Sequence, residues 1–329
     1  MQNDPVIEIK QLQKNFVLKE HGKKQQIKAI RGVDLIVGPG QIFGFLGPNG
    51  AGKSTTQKIL STLMRPSGGE VKILGYDLIK QPNKIRQNVG FVSQTGGANL
   101  ALSGTENLVL QAQLFGIDTP TAKHLAAKVS QRFQMLNYIN RPTSTYSGGQ
   151  KRRLDIALGM IHHPQLLLLD EPTTGLDPQS RAYLWIEIQK LKTEGVTILL
   201  TTQYMDEADK LCDTLAIIDH GKIITQGTPD ELKRSVGGDT IVFSFPSQTI
   251  AHQAKELLNE HVVLERLNIT DRSVYLTLKD GERALPDLLR LLDGSELTVQ
   301  SVTLARPSLD DVFLKYTGRS LRDDESEKQ

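Results

Sequence analysis

"GPNGAGKST" (47–55) is the stretch that decides the fold. Gly47 and Gly52 are separated by four residues, and Lys53 and Ser54 follow at once, which is the spacing of a phosphate-binding loop. Glycines let the backbone curl so that its N–H groups converge on phosphate oxygens. A following helix would point its positive end at the same anion. Lys53 would neutralise the terminal phosphates, and the Ser54 hydroxyl would ligate Mg²⁺. Gly47, Pro48, Asn49, Gly50, Ala51, Gly52, Lys53, Ser54 and Thr55 are therefore the expected nucleotide-binding residues. Chance would place the four fixed positions in roughly one chain in a hundred of this length. The context lowers that further. "IFGFL" (42–46) predicts a buried strand before the turn, and Ile59, Leu60, Leu63 and Met64 recur at helical spacing after it.

Strand-like and helical segments alternate to about residue 230, which predicts an α/β fold with a parallel sheet. "QLLLLD" (165–170) and "VTILLT" (196–201) are apolar on both faces, as strands inside such a sheet must be. Asp170 and Glu171 follow the leucines, at the strand end where open parallel sheets bind ligands. A carboxylate there is most often a solvated loop residue or a helix cap. Beside a phosphate-binding loop the pair gains other roles: Asp170 to hold Mg²⁺, Glu171 to polarise an attacking water. Between the two strands, a helix should start at the Asp-Pro of 177–178 and stop before Gly195, with Leu184, Trp185, Ile188 and Leu191 as its apolar stripe. Residues 99–160 read as largely helical, and "AIIDHGKIITQG" (216–227) as two strands around a His-Gly turn.

The pattern changes after "RSVGGD" (234–239): strand, helix, strand, strand, helix, strand, then a last helix over 308–318. That order predicts a small α+β unit of ferredoxin-like type. The expected division is an ATP-binding domain over 1–233, an accessory domain over 234–319 and a disordered tail over 320–329.

Composition narrows the function classes. Net charge is +2, so nothing electrostatic points to nucleic acid. One cysteine, Cys212, excludes an internal disulfide and fits a reducing compartment. "MQNDPVIEIK" (1–10) lacks the pattern of a signal peptide, and no apolar run approaches the ~20 residues of a membrane helix. A soluble chain is expected, with any membrane span supplied by another polypeptide. The seven histidines, at 21, 124, 162, 163, 220, 252 and 261, show no metal spacing, and the pair before Pro164 suits a helix end.

"YSGGQKRRLDIA" (146–157) resembles the signature sequence of ATP-binding cassette (ABC) ATPases, with Tyr146 where leucine is usual. Read physically, Ser147 caps a helix whose apolar stripe is Leu154, Ala157, Leu158 and Ile161. The resemblance adds the nucleotide: Ser147, Gly148, Gly149 and Gln150 would meet the γ-phosphate of ATP held by a second subunit. It also makes Gln94 in "VGFVSQ" (89–94) the glutamine that reaches the metal and water, and Asp177 in "GLDP" (175–178) the aspartate at the subunit interface. Phe16 in "KNF" (14–16) is the candidate adenine-stacking aromatic, although "VLKEHGKKQQIK" sets it unusually far from the loop; an ordinary apolar strand residue fits it equally well. The implied cofactors are ATP and Mg²⁺. The implied partners are a second ATP-binding subunit, in a homodimer, and a separate membrane permease at the cytoplasmic face of the cell membrane.

Within the family, "VGFVSQTGGAN", "DEPTTGLDPQSRAYLW" and "PSLDDVFLKYTGR" (307–319) are most similar to the daunorubicin-resistance type, which implies export of a drug, antibiotic, lipid-like or glycan cargo. Two alternatives stay open: a non-transport soluble ABC ATPase, and a regulatory module that binds ATP with little turnover. Gln203 bears on the second. It stands where the family usually carries a switch histidine, and a glutamine can donate a neutral hydrogen bond there but cannot become cationic.

Overall fold

The computed structural model describes residues 4–20, 23–261 and 266–318. They form two compact units divided between Thr228 and Pro229. The expected tail at 320–329 lies outside the described residues.

In the first unit, β1 (Ile7–Glu20) and β2 (Lys23–Val37) form a long antiparallel hairpin, and β3 (Ile42–Leu46) leads into the 47–52 turn and α1 (Lys53–Leu60). β4 (Gly68–Ile73) and β5 (Tyr76–Asp77) extend the hairpin sheet before α2 (Pro82–Asn88) and β6 (Val89–Val92). Three helices occupy the segment read as helical: α3 (Gly104–Leu114), α4 (Thr119–Arg132) and α5 (Gly148–Met160). Then come β7 (Leu166–Asp170), α6 (Pro178–Thr193), β8 (Thr197–Thr202), α7 (Met205–Leu211), β9 (Thr214–Asp219) and β10 (Lys222–Gly227).

The six-stranded sheet runs β10–β9–β3–β8–β7–β6. All neighbours are parallel except the edge pair β9/β10. β3, β7 and β8 are buried along their whole length, which explains their uninterrupted apolar sequence. Phe43 and Phe45 meet edge to face at 5.7 Å in the core, which also takes Ile7, Ile9, Leu35, Leu166 and Leu199. The His-Gly turn joins β9 and β10 with both residues at positive φ, 45° and 76°, the twist that two-residue hairpins require.

In the second unit, α8 (Pro229–Val236) packs on the last helix, α11 (Leu309–Thr317), so the division falls upstream of the boundary read from sequence. Between them lie β11 (Asp239–Ser244), α9 (Gln248–His261), β12 (Arg266–Thr270), β13 (Ser273–Leu278), α10 (Gly281–Gly294) and β14 (Ser301–Ala305). The sheet order β12–β13–β11–β14, antiparallel throughout, is that of a ferredoxin-like split βαβ. Ile241, Phe243, Val274 and Leu276 pack with Ala251, Ala254, Leu258, Leu288 and Leu292 of α9 and α10. The second strand expected in this unit, "VVLERL" (262–267), lies outside the described residues up to 265 and is described from Arg266 onward.

Candidate functional site

The site is built where β3, β6, β7 and β8 end. β8 lies between β3 and β7, so a helix that starts after β3 must reach across β8 to touch the end of β7. α1 does this twice. Ser54 donates its hydroxyl to Asp170 Oδ1 at 2.9 Å. Gln57, fully buried, donates to Leu169 O at 2.8 Å and Leu199 O at 3.3 Å, tying the helix to both strands.

The turn that feeds α1 has no room for a side chain at its two ends. A Cβ at Gly47 would stand 2.1 Å from Ile218 O, and one at Gly52, whose φ is 106°, 2.7 Å from Ala29 O. Among the described residues, the amides of Gly50, Gly52, Lys53, Ser54 and Thr55 find no backbone acceptor. That is a concentrated set of donors at a helix start, the chemistry an anion needs. Lys53 is only 4% exposed and donates to Gly47 O at 2.7 Å and Pro48 O at 3.1 Å. Its ammonium stands 3.5 Å from Glu171 Oε1. Burial lowers the Lys53 pKa, while the nearby Glu171 and Asp170 carboxylates pull it back up.

Asp170 and Glu171 are 3% and 6% exposed and face different partners. Asp170 Oδ1 accepts from Ser54 and from Thr201 Oγ1 at 2.7 Å. Glu171 Oε2 accepts from Gln94 Nε2 at 2.9 Å and from the Thr174 hydroxyl at 3.2 Å. Glu171 has φ of 44°, a left-handed conformation that costs a non-glycine residue on the order of 1–2 kcal/mol. Such strain persists only where surrounding contacts enforce it. Here the Glu171 amide donates to Thr201 O at 3.1 Å and Thr201 Oγ1 at 3.2 Å.

Lys53, Glu171 and Gln94 are thus joined to Ser54 and Asp170 in one cluster, with Thr201 as the bridge. Asn49 and Gly50 lie exposed on the turn, Pro48 and Ala51 are buried and Thr55 is half-buried. Gln203 lies between β8 and α7, half-buried, and among the described residues no hydrogen bond engages its amide. The hydroxyl of Ser54, the carboxylate of Asp170 and the amide oxygen of Gln94 are hard donors that suit Mg²⁺. Among the described residues no group of three or more His, Cys, Asp or Glu could hold a metal unaided. An ion here would complete its shell with phosphate and water.

The other candidates lie outside this cluster. Ser147 accepts from Gln150 N at 3.3 Å and its own amide donates to Gln150 Oε1 at 3.0 Å, closing a capping box at the start of α5. Ser147 and Gly148 are exposed; a Cβ on Gly149 would meet Ser180 Oγ at 2.5 Å. Asp177 caps α6 through Ser180, whose donated hydrogen bonds hold its carboxyl below the usual range. Phe16 sits on β1 opposite Ile27, with the Lys14 ammonium 5.2 Å from its ring centroid. Tyr146, unusual in its motif, is buried with its hydroxyl donating to Tyr138 O at 3.0 Å and the two rings edge to face.

Residues 30–174 match the ABC transporter family, and residues 227–317 match the C-terminal domain of DrrA1-3-like ATP-binding proteins. The daunorubicin/doxorubicin resistance ATP-binding protein DrrA of Streptomyces peucetius is 41% identical over 301 residues, 92% of this chain and 91% of that one. The chain belongs to the ABC transporter ATPases. The doxorubicin resistance ATP-binding protein DrrA of Mycobacterium tuberculosis is 42% identical over 310 residues, 92% of each chain. A solved dimer of an ATP-binding cassette, bound to ADP and Pi after hydrolysis, shares the fold with a TM-score of 0.62 and 24% identity, over 68% of this chain and 98% of that one. This ABC ATPase binds and hydrolyses ATP as a subunit of an exporter, and as such works with a separate membrane permease. No helix among its described residues is long and apolar enough to cross a membrane.

Sequence reading missed three side chains that the ATPase builds into this site. Thr201 looked like one more strand residue, and Gln57 like a polar helix position. Arg152 carries no role in the signature motif as read from sequence, yet it is 7% exposed and donates three hydrogen bonds. No periodicity marks any of them. Their partners lie 18 to 142 residues away in the chain.

Proposed function

We propose that the chain hydrolyses Mg²⁺-ATP at an interface between two copies of itself and so drives a permease that exports an antibiotic-like, lipid-like or glycan cargo from the cytoplasmic face of the membrane. The observation that carries this reading is the single cluster of hydrogen bonds and one ion pair that joins Lys53, Glu171 and Gln94 to Ser54 and Asp170 through Thr201. Lys53 and the loop amides bind the β- and γ-phosphates. Ser54, Asp170 and Gln94 would hold Mg²⁺, which when bound offsets charge on the phosphates. Glu171 accepts the proton of the attacking water. Gln94, already bonded to Glu171, orients that carboxylate and the water together. Gln203, with its amide uncommitted, donates to the γ-phosphate.

Ser147 and Gly149 of the second copy close the site, because their helix start is exposed and rich in donors. The relatives named for daunorubicin and doxorubicin resistance support a drug-like cargo, which the permease selects. Glu171→Gln tests the reading. General-base loss costs about 10²–10⁴ in rate. Expected is ATP binding close to the parent's, turnover lower by that factor, and an ATP-dependent dimer by light scattering. A Glu171→Gln chain that turns over normally, or stays monomeric with ATP, refutes it.

A further inference from the structure

Arg152 lies on the inner face of α5, five residues after the Ser147 cap. Its guanidinium donates to Ser93 O at 2.7 Å, Asp170 O at 2.9 Å and Pro172 O at 2.7 Å. These carbonyls are not scattered. Asp170 and Pro172 flank Glu171 on either side, and Ser93 precedes Gln94. One side chain therefore grips the backbone around both residues whose side chains meet at 2.9 Å. Through Asp170 O it holds the peptide plane that precedes the strained φ of Glu171, and through Pro172 O the plane one residue beyond it. One turn further along α5, Asp155 accepts from Gly97 N at 3.1 Å, so the Gln94 loop is held at both ends by the same helix.

A forked, planar donor suits this task, because its N–H groups diverge toward three acceptors at once. Asp155, Asp170, Glu171 and Glu207 surround the buried cation and keep it charged against the cost of burial.

We propose that Arg152 is the positioning residue that sets Glu171 and Gln94 for catalysis, and that it ties both to the orientation of the helix beginning at Ser147. This rests on Glu171 as the base. Arg152 bonds none of the loop residues 47–55 and meets Asp170 only at its main-chain carbonyl, so its loss should slow turnover and spare ATP binding.

The test is a cycle in the full-length chain. Arg152→Ala would bare three buried carbonyls and risks unfolding. Arg152→Lys keeps the cation and cannot span all three acceptors, so it carries the experiment. Expected is a fall in kcat of about tenfold or more, equivalent to about 1.4 kcal/mol, with ATP affinity within about threefold of the parent. In the Glu171→Gln background, Arg152→Lys should cost less than about twofold more, since the group it positions is already gone. Arg152→Lys turnover within about twofold of the parent overturns the proposal, as does an equal loss in both backgrounds or a parallel loss of ATP binding. Normal turnover by Glu171→Gln alone would overturn the base assignment itself, and the proposal with it.

Discussion

Thr201→Val is a sharp probe of how the site is held. The Thr201 hydroxyl is fully buried on β8, donates to Asp170 Oδ1 at 2.7 Å and accepts from Glu171 N at 3.2 Å. Valine matches its shape and removes both bonds. Glu171 N keeps Thr201 O at 3.1 Å, so the main loss is one hydrogen bond to a buried carboxylate. Such bonds contribute about 1.5–3 kcal/mol. The added methyl returns at most about 0.8 kcal/mol. A net loss of about 1–2 kcal/mol is expected, or roughly 2–8 °C in Tm for a unit of this size. Trp185 is the only tryptophan and lies in the first unit, so its fluorescence during urea unfolding reports that unit alone. Thr201→Ser, which keeps the hydroxyl, should stay closer to the parent than valine does. A valine variant within about 0.5 kcal/mol of the parent would refute the claim that Thr201 anchors Asp170.

Lys53→Ala should abolish measurable ATP binding, because the phosphates lose their cation; normal binding of a fluorescent nucleotide contradicts the loop assignment. Gln203→Ala should slow hydrolysis by about ten- to a hundredfold if its amide meets the γ-phosphate, and unchanged kcat removes it from the site. His162 stacks on Phe115 at 3.7 Å, and burial lowers its pKa to about 4 from the ordinary 6.5. The fold needs it neutral, so this stability is complete above pH 6.5 and is lost as pH falls from 6.5 through 4. The loss is at most about 3 kcal/mol. His162→Phe keeps the stack and should flatten stability against pH in that window; an unchanged slope refutes the assignment.

The elements that carry a period are legible in the sequence itself. "IFGFL" is β3, the leucine run is β7, and the ferredoxin-like order of the second unit follows from alternation and helical spacing. The loop and the carboxylate pair stand out because their chemistry demands fixed neighbours in the chain, and Gln94 only through the family resemblance; the structure brings their side chains together. What escaped was the framework between elements. Arg152 and Asp155 sit among the apolar positions of α5, Glu187 is buried on α6, whose sequence reads as an amphipathic helix, and Glu207 is buried on α7, a short helix that no periodicity predicts. A charge in such a place is readable only when its partner is known. For Arg152 the partners are main-chain carbonyls, which no side-chain pattern encodes. The left-handed φ of Glu171 was equally hidden, since glutamate does not announce it as glycine would.

The capping box at Ser147 limits what evolution or an engineer can place there. A hydroxyl has one proton and two lone pairs. The helix start draws on a lone pair, through Gln150 N, and leaves the proton for whatever approaches from solvent. Aspartate would cap the helix as well but would have no proton to give and would repel a phosphate; alanine would do neither. Helix nucleation and phosphate contact therefore use opposite poles of one atom, and a variant such as Ser147→Asp separates a folded signature helix from a functioning one.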